Sequence, residues 1–164
     1  MAYDGIMSRE WIEKLAKQEL QVEESGEVDL YNKDDEKQVL EETTLQFLYD
    51  LRKEFTACIN SFNTYRGEAR NSIKIYGIQG TEADFLIFRN SLKLIVTKER
   101  PGTIAFSFAS LRGSLKSAQD EDSDYIELTL GHFNDGMWKF KGQSISVQGL
   151  IRYYLTEFIR TSLN

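Results

Sequence analysis

From Thr44 onward, the residues Thr44, Leu48, Leu51, Phe55, Cys58, Phe62 and Tyr65 recur at alternating steps of four and three. That spacing places them on one face of an α-helix, and Leu45, Phe47 and Ile59 widen the stripe until it can face a core. Asp35 followed by Gln38 reads as a capping box, and Arg66-Gly67 supplies a cationic last turn and a stop. The spacing therefore predicts one long helix over 35–66, on which the rest of the chain must fold.

After Gly67 the period changes from that of a helix to that of strands. Ser72–Ile78, Asp84–Arg89, Leu92–Lys98, Thr103–Ser110, Tyr125–Leu130 and Met137–Lys141 alternate or run apolar, and turn residues separate them. Gln79-Gly80-Thr81-Glu82, Asn90-Ser91, Arg100-Pro101-Gly102-Thr103 and Asn134-Asp135-Gly136 are the reversals, the third in the order of a type II turn. Ser146 is placed to cap a final helix reaching Ser162, apolar on most sides through Val147, Leu150, Ile151, Tyr154, Leu155, Phe158 and Ile159. The fold class expected is α+β: an antiparallel sheet of about six strands packed against a long N-terminal helix and a C-terminal helix.

In front of this lies an acidic arm. Residues 1–42 carry thirteen acids against five bases, whereas residues 43–116 carry eleven bases against six acids. Ser8 can cap a short helix from Arg9 to about Leu20 whose apolar edge is Trp11, Ile12, Leu15, Ala16 and Leu20. Val22–Asn32 reads as a linker. The organisation expected is an arm over 1–34 and a single α+β domain over 35–164. A chain of 164 residues can bury roughly 70% of its unfolded surface, so the domain needs neither metal nor disulfide to be stable. The single Cys58 falls on the apolar stripe and is expected to be buried. No signal-peptide pattern and no apolar run of about 20 residues occurs, which predicts a cytoplasmic protein that does not enter a membrane.

Catalytic patterns are sparse. His132 is the only histidine, so a zinc-binding His pair cannot form, and GxSxG, GxxxxGK[ST] and GxGxxG do not occur. Ser114 near Lys116 lies in a polar stretch and carries little. Asp120, Asp122 and Asp124 begin like a calcium loop, but Tyr125 stands where its glycine belongs and Gly131 where its glutamate belongs. The sequence therefore calls for no enzyme activity, no cofactor and no metal.

Three binding readings remain. A thirty-two-residue helix is about 48 Å long, longer than the sheet it would cover, so its first half is expected to project or to bend at Thr43-Thr44. Val39, Leu40 and Phe47, with Trp11, Ile12 and Leu15 of the arm, would then bind another protein or a second copy of the chain. Alternatively, Phe85, Phe88, Phe106, Phe108, Trp138, Phe140 and Tyr154 would line a cavity for a small apolar ligand between sheet and C-terminal helix. In the third reading, Lys74, Tyr76, Arg89 and Lys93 would form a basic, aromatic sheet face for single-stranded nucleic acid, against which the pI of 4.9 argues.

Overall fold

A computed structural model describes residues 9–28, 34–67, 69–110 and 123–163. The chain separates into two compact units, Met1–Asp35 and Glu36–Asn164. Ser8, the side chain of Asp35, Ser114, Leu115, Lys116, Asp120 and Asp122 lie outside the described residues, and with them the two caps, the serine–lysine pair and the calcium-like run read from sequence.

In the first unit, α1 runs Glu10–Ser25, with Glu10 and Glu13 complementing the dipole in its first turn. It does not end near Leu20. Gln21, Val22, Glu23 and Glu24 all tolerate helix, and no breaker precedes Gly26. Gly26 takes φ +70° and donates its N–H to the Val22 carbonyl at 2.7 Å, the left-handed stop that glycine allows.

The second unit is built on α2, Asp34–Arg66, an unbroken helix of 33 residues. Its buried residues are Thr44, Phe47, Leu48, Leu51, Phe55 and Ile59. The stripe read from sequence holds at its start and fails at its end: Cys58 is exposed and Tyr65 is 93% exposed. A helix of 3.6 residues per turn drifts by about 20° per heptad against a four-three repeat, so after Phe55 the step to Ile59 stays inside and Cys58 rotates out.

A seven-stranded antiparallel sheet follows, in the sequential order β1 to β7. The strands are β1 Lys74–Gly77, β2 Phe85–Arg89, β3 Leu92–Arg100, β4 Thr103–Ser110, β5 Asp124–Leu130, β6 Gly136–Phe140 and β7 Gln143–Ser144. The last is a two-residue strand that the sequence reading leaves out. Asn90 (φ +49°) and Ser91 (φ +70°) close β2–β3, and Lys141 (φ +49°) and Gly142 (φ +82°) close β6–β7, the paired positive angles of a two-residue hairpin. Phe85, Ile87, Leu94, Val96, Ile104, Phe106 and Ile126 form the inner face and join the apolar residues of α2 and α3 in one core.

α2, about 50 Å long, is longer than any described strand, as expected. β3 has nine residues and β4 eight, a hairpin about 30 Å long. The stretch of α2 from Leu40, beside Gly102, to Phe62, beneath the Arg89 guanidinium of β2, is about 33 Å long and is held to the sheet at both ends. The Thr44 hydroxyl is the fastening: it donates to the Leu40 carbonyl at 2.6 Å and accepts the N–H of Gly102, in the β3–β4 turn, at 2.8 Å. Thr44 therefore ties the helix to the sheet where the sequence suggested a bend. Glu41 pairs with Lys98 beside it. At the other end, the Asn63 amide accepts the Ile73 N–H at 2.9 Å and donates to the Ile73 carbonyl at 3.0 Å.

The third helix, α3 (Val147–Thr161), begins at Ser146, whose side chain accepts the Gly149 N–H at 3.0 Å. It buries Leu150, Ile151, Tyr154, Leu155 and Phe158. Tyr154 lies parallel to Phe106 with ring centroids 4.4 Å apart and donates its hydroxyl to Asp124 at 2.8 Å. Every buried side-chain polar atom among the described residues has a hydrogen-bond partner.

Candidate interaction surfaces

Three places carry the candidate residues. The first is α1, on which no residue is buried. Trp11 is 60% exposed, Ile12 46% and Leu15 48%. At 100° per residue these three and the half-buried Val22 fall within about 100° of arc, while Leu20 lies on the far side. The helix thus presents a narrow apolar stripe on an otherwise charged rod, carrying Glu10, Glu13, Glu19, Glu23 and Glu24 against Lys14 and Lys17.

The first half of α2 differs. Phe47 is 6% exposed and stacks on Trp138 of β6 at 4.6 Å between centroids. Leu40 is half-buried, close enough that a Cβ on Gly102 would touch its Cδ2 at 3.4 Å, and Val39 is half-buried as well. Phe47 is therefore not a projecting anchor. It belongs to the core of its own chain, where Trp138 of β6 covers it. Of the six residues read as partner-binding, Trp11, Ile12 and Leu15 are exposed, Val39 and Leu40 are half-buried and outside the core cluster, and Phe47 alone is buried in it.

The outer sheet face is the second place. Register pairs Lys74 with Phe88 and Phe88 with Lys93, and in the neighbouring row Tyr76 with Leu86 and Leu86 with Ile95. Lys74, Tyr76 and Lys93 thus share one face. Arg89 does not join them: it points into the inner face and is 2% exposed. Its Nε donates to the Asn71 carbonyl at 2.9 Å, its Nη1 to Ser162 Oγ at 3.4 Å, and its guanidinium sits 5.3 Å over the Phe62 ring. Burial, and then the charge of Arg66, lower its pKa. Arg89 fastens the 3₁₀ turn at Ala69–Asn71 and the end of α3 to β2; because Phe85, Leu86, Ile87 and Phe88 are all apolar, the strand showed no alternation from which the direction of Arg89 could be read.

A cavity of about 380 Å³ between β6–β7 and the start of α3 is the third, lined by Phe140, Ile145, Ser146, Gly149, Leu150, Tyr153 and Tyr154. Of the seven aromatic residues proposed for a cavity, Phe140 and Tyr154 line this one. Phe85, Phe106 and Trp138 fill the core, Phe108 packs against it, and Phe88 is on the outer face. The cavity set read from sequence lacks Ile145, Ser146, Gly149, Leu150 and Tyr153. Gly149, inside an apolar helix, was the available signal, since it leaves that wall without a side chain.

His132 is exposed, with its ring edge-on to Phe133 at 4.7 Å. Among the described residues no three of His, Cys, Asp and Glu converge on a point where a metal could sit. No described helix is long and apolar enough to cross a membrane. Compared with protein-family models, curated proteins and solved structures, the chain matches none of them.

Proposed function

We propose that this chain is a non-enzymatic protein-interaction domain: the α+β body is the scaffold, and α1 is the recognition element. The carrying observation is that α1 buries none of its residues while holding Trp11, Ile12 and Leu15 on one stripe. A helix of 16 residues is marginal in water on its own, and a packed apolar face is what ordinarily stabilises it. A partner helix or groove supplies such a face, and the pairs Trp11/Leu15 (i, i+4) and Ile12/Leu15 (i, i+3) have the anchor spacing of helix-in-groove binding. The occupant put to the test is a second copy of the chain. Sedimentation equilibrium of the intact protein should give a mass rising with concentration toward a dimer, and the Ile12→Asp/Leu15→Asp variant should stay at 19.0 kDa. An intact chain that is monomeric throughout would remove self-association.

A second reading, single-stranded nucleic acid on the outer sheet face, is favoured by one observation: the register that sets Lys74, Phe88 and Lys93 side by side with Tyr76 next to them. Salt-dependent binding of labelled single-stranded RNA, lost in Lys74→Glu/Lys93→Glu, would support it. Absence of binding at low salt would dismiss it.

A further inference from the structure

The cavity beside α3 arises from two sequence features. The sheet ends in a strand of two residues, Gln143–Ser144, so the chain leaves β7 before it can cover Phe140 and Ile145. Opposite, α3 presents Gly149, with no side chain to fill the gap. A Cβ at Gly149 would stand 2.8 Å from the Ser146 hydroxyl that caps the helix, so that hydroxyl would have to shift to admit one. The volume of about 380 Å³ falls within the range of small-molecule sites.

Its walls define a ligand class. Phe140, Tyr153 and Tyr154 provide aromatic surfaces, and Ile145 and Leu150 aliphatic ones. Tyr153 and Tyr154 meet edge to face at 5.0 Å, so one ring of the pair presents its face where the other presents its edge. Such walls accept a flat ring by offset stacking and edge contact. Among the described residues two charges border the cavity walls: the Asp124 carboxylate is taken up by the Tyr154 hydroxyl at 2.8 Å, whereas the Lys141 ammonium engages no carboxylate and lies at the Phe140 side. Lys141 Nζ lies 5.3 Å over the Phe140 ring, and the first turn of α3 carries no acidic side chain. We propose that this cavity binds a small planar aromatic anion, its ring among Phe140, Tyr153 and Tyr154 and its charged group turned toward Lys141. The inference is independent of the role of α1.

The test uses the intact chain with two fluorescent probes, the anion 8-anilinonaphthalene-1-sulfonate and the uncharged N-phenyl-1-naphthylamine. Both should bind saturably with one site per chain, and the amide resonance of Gly149 should shift during the titration. Tyr153→Ala removes a wall residue that is 58% exposed, so the fold survives while both probes bind about fivefold more weakly. Lys141→Asn suits the position because asparagine tolerates the φ of +49°. It should weaken the anion about threefold and leave the uncharged probe within about twofold. Non-saturable binding, a Gly149 amide that does not move, or a Tyr153→Ala protein that binds both probes as before would overturn the site. Equal weakening of the two probes by Lys141→Asn would overturn its preference for an anion.

Discussion

Replacing Phe47 by alanine separates the two roles open to the first half of α2. Phe47 is 6% exposed and lies against Trp138 with rings 4.6 Å apart and 26° from parallel. Truncating a buried phenylalanine costs about 3–5 kcal/mol, from lost transfer energy and the cavity left behind. In a body of this size, each kcal/mol moves the melting temperature by about 3–4 °C, so Phe47→Ala should melt about 10–20 °C below the parent. Thermal unfolding followed by circular dichroism reads this directly. Adding Trp138→Ala should cost less than the sum of the two single changes, by the aromatic coupling of about 0.5–1.5 kcal/mol. Leu15→Ala on α1, at 48% exposure, is the control and should stay within about 2 °C. A Phe47→Ala protein that melts like the parent but loses self-association would refute the reasoning and return Phe47 to a partner surface.

Thr44→Val keeps the shape of a fully buried side chain but strands the Gly102 N–H it accepts. The loss expected in denaturant unfolding is about 1–3 kcal/mol. Gly136→Ala would set a Cβ 2.9 Å from Leu128 Cδ1 and 3.3 Å from Thr43 Cγ2; Gly136 is exposed and both are ends of half-buried side chains that can move aside, so it should cost under about 1 kcal/mol in the same assay. Burial first, and then the hydrogen bond and charge of Asp124, raise the pKa of the Tyr154 phenol above its ordinary value. The folded chain then holds that proton more tightly than the unfolded one. The resulting stability is complete below pH of about 10 and declines as pH rises beyond it. Tyr154→Phe should be less stable than the parent by about 1 kcal/mol at neutral pH, and the gap should narrow above pH of about 10.

The parts of the fold that repeat a period were legible in the sequence. Alternation in Leu92, Leu94 and Val96 and in Ile104 and Phe106 marks inward rows, and these residues lie in the core. Pro101-Gly102 marks a reversal, and Gly102 takes φ +87° there. What depended on distance in space was not legible. A bend near Thr44 was a fair inference from a β-branched pair, yet the Thr44 hydroxyl bonds to a glycine 58 residues away. Cys58 and Tyr65 fit a heptad, but a straight helix carries them out of the core. Lys74 and Lys93 come together through register, and Arg89 turns inward to reach Asn71, Ser162 and Phe62. The cavity depends on where the sheet stops, which a two-residue strand does not announce.

In the function proposed, the body is complete in itself and α1 is the surface offered to others. Sedimentation equilibrium on the intact chain and on Ile12→Asp/Leu15→Asp, over a wide concentration range, tests it most directly. The intact chain should associate toward twice its 19.0 kDa, and the variant should remain at 19.0 kDa with an unchanged melting temperature. A variant that associates as strongly as the parent, or that loses the fold of the body, would contradict it.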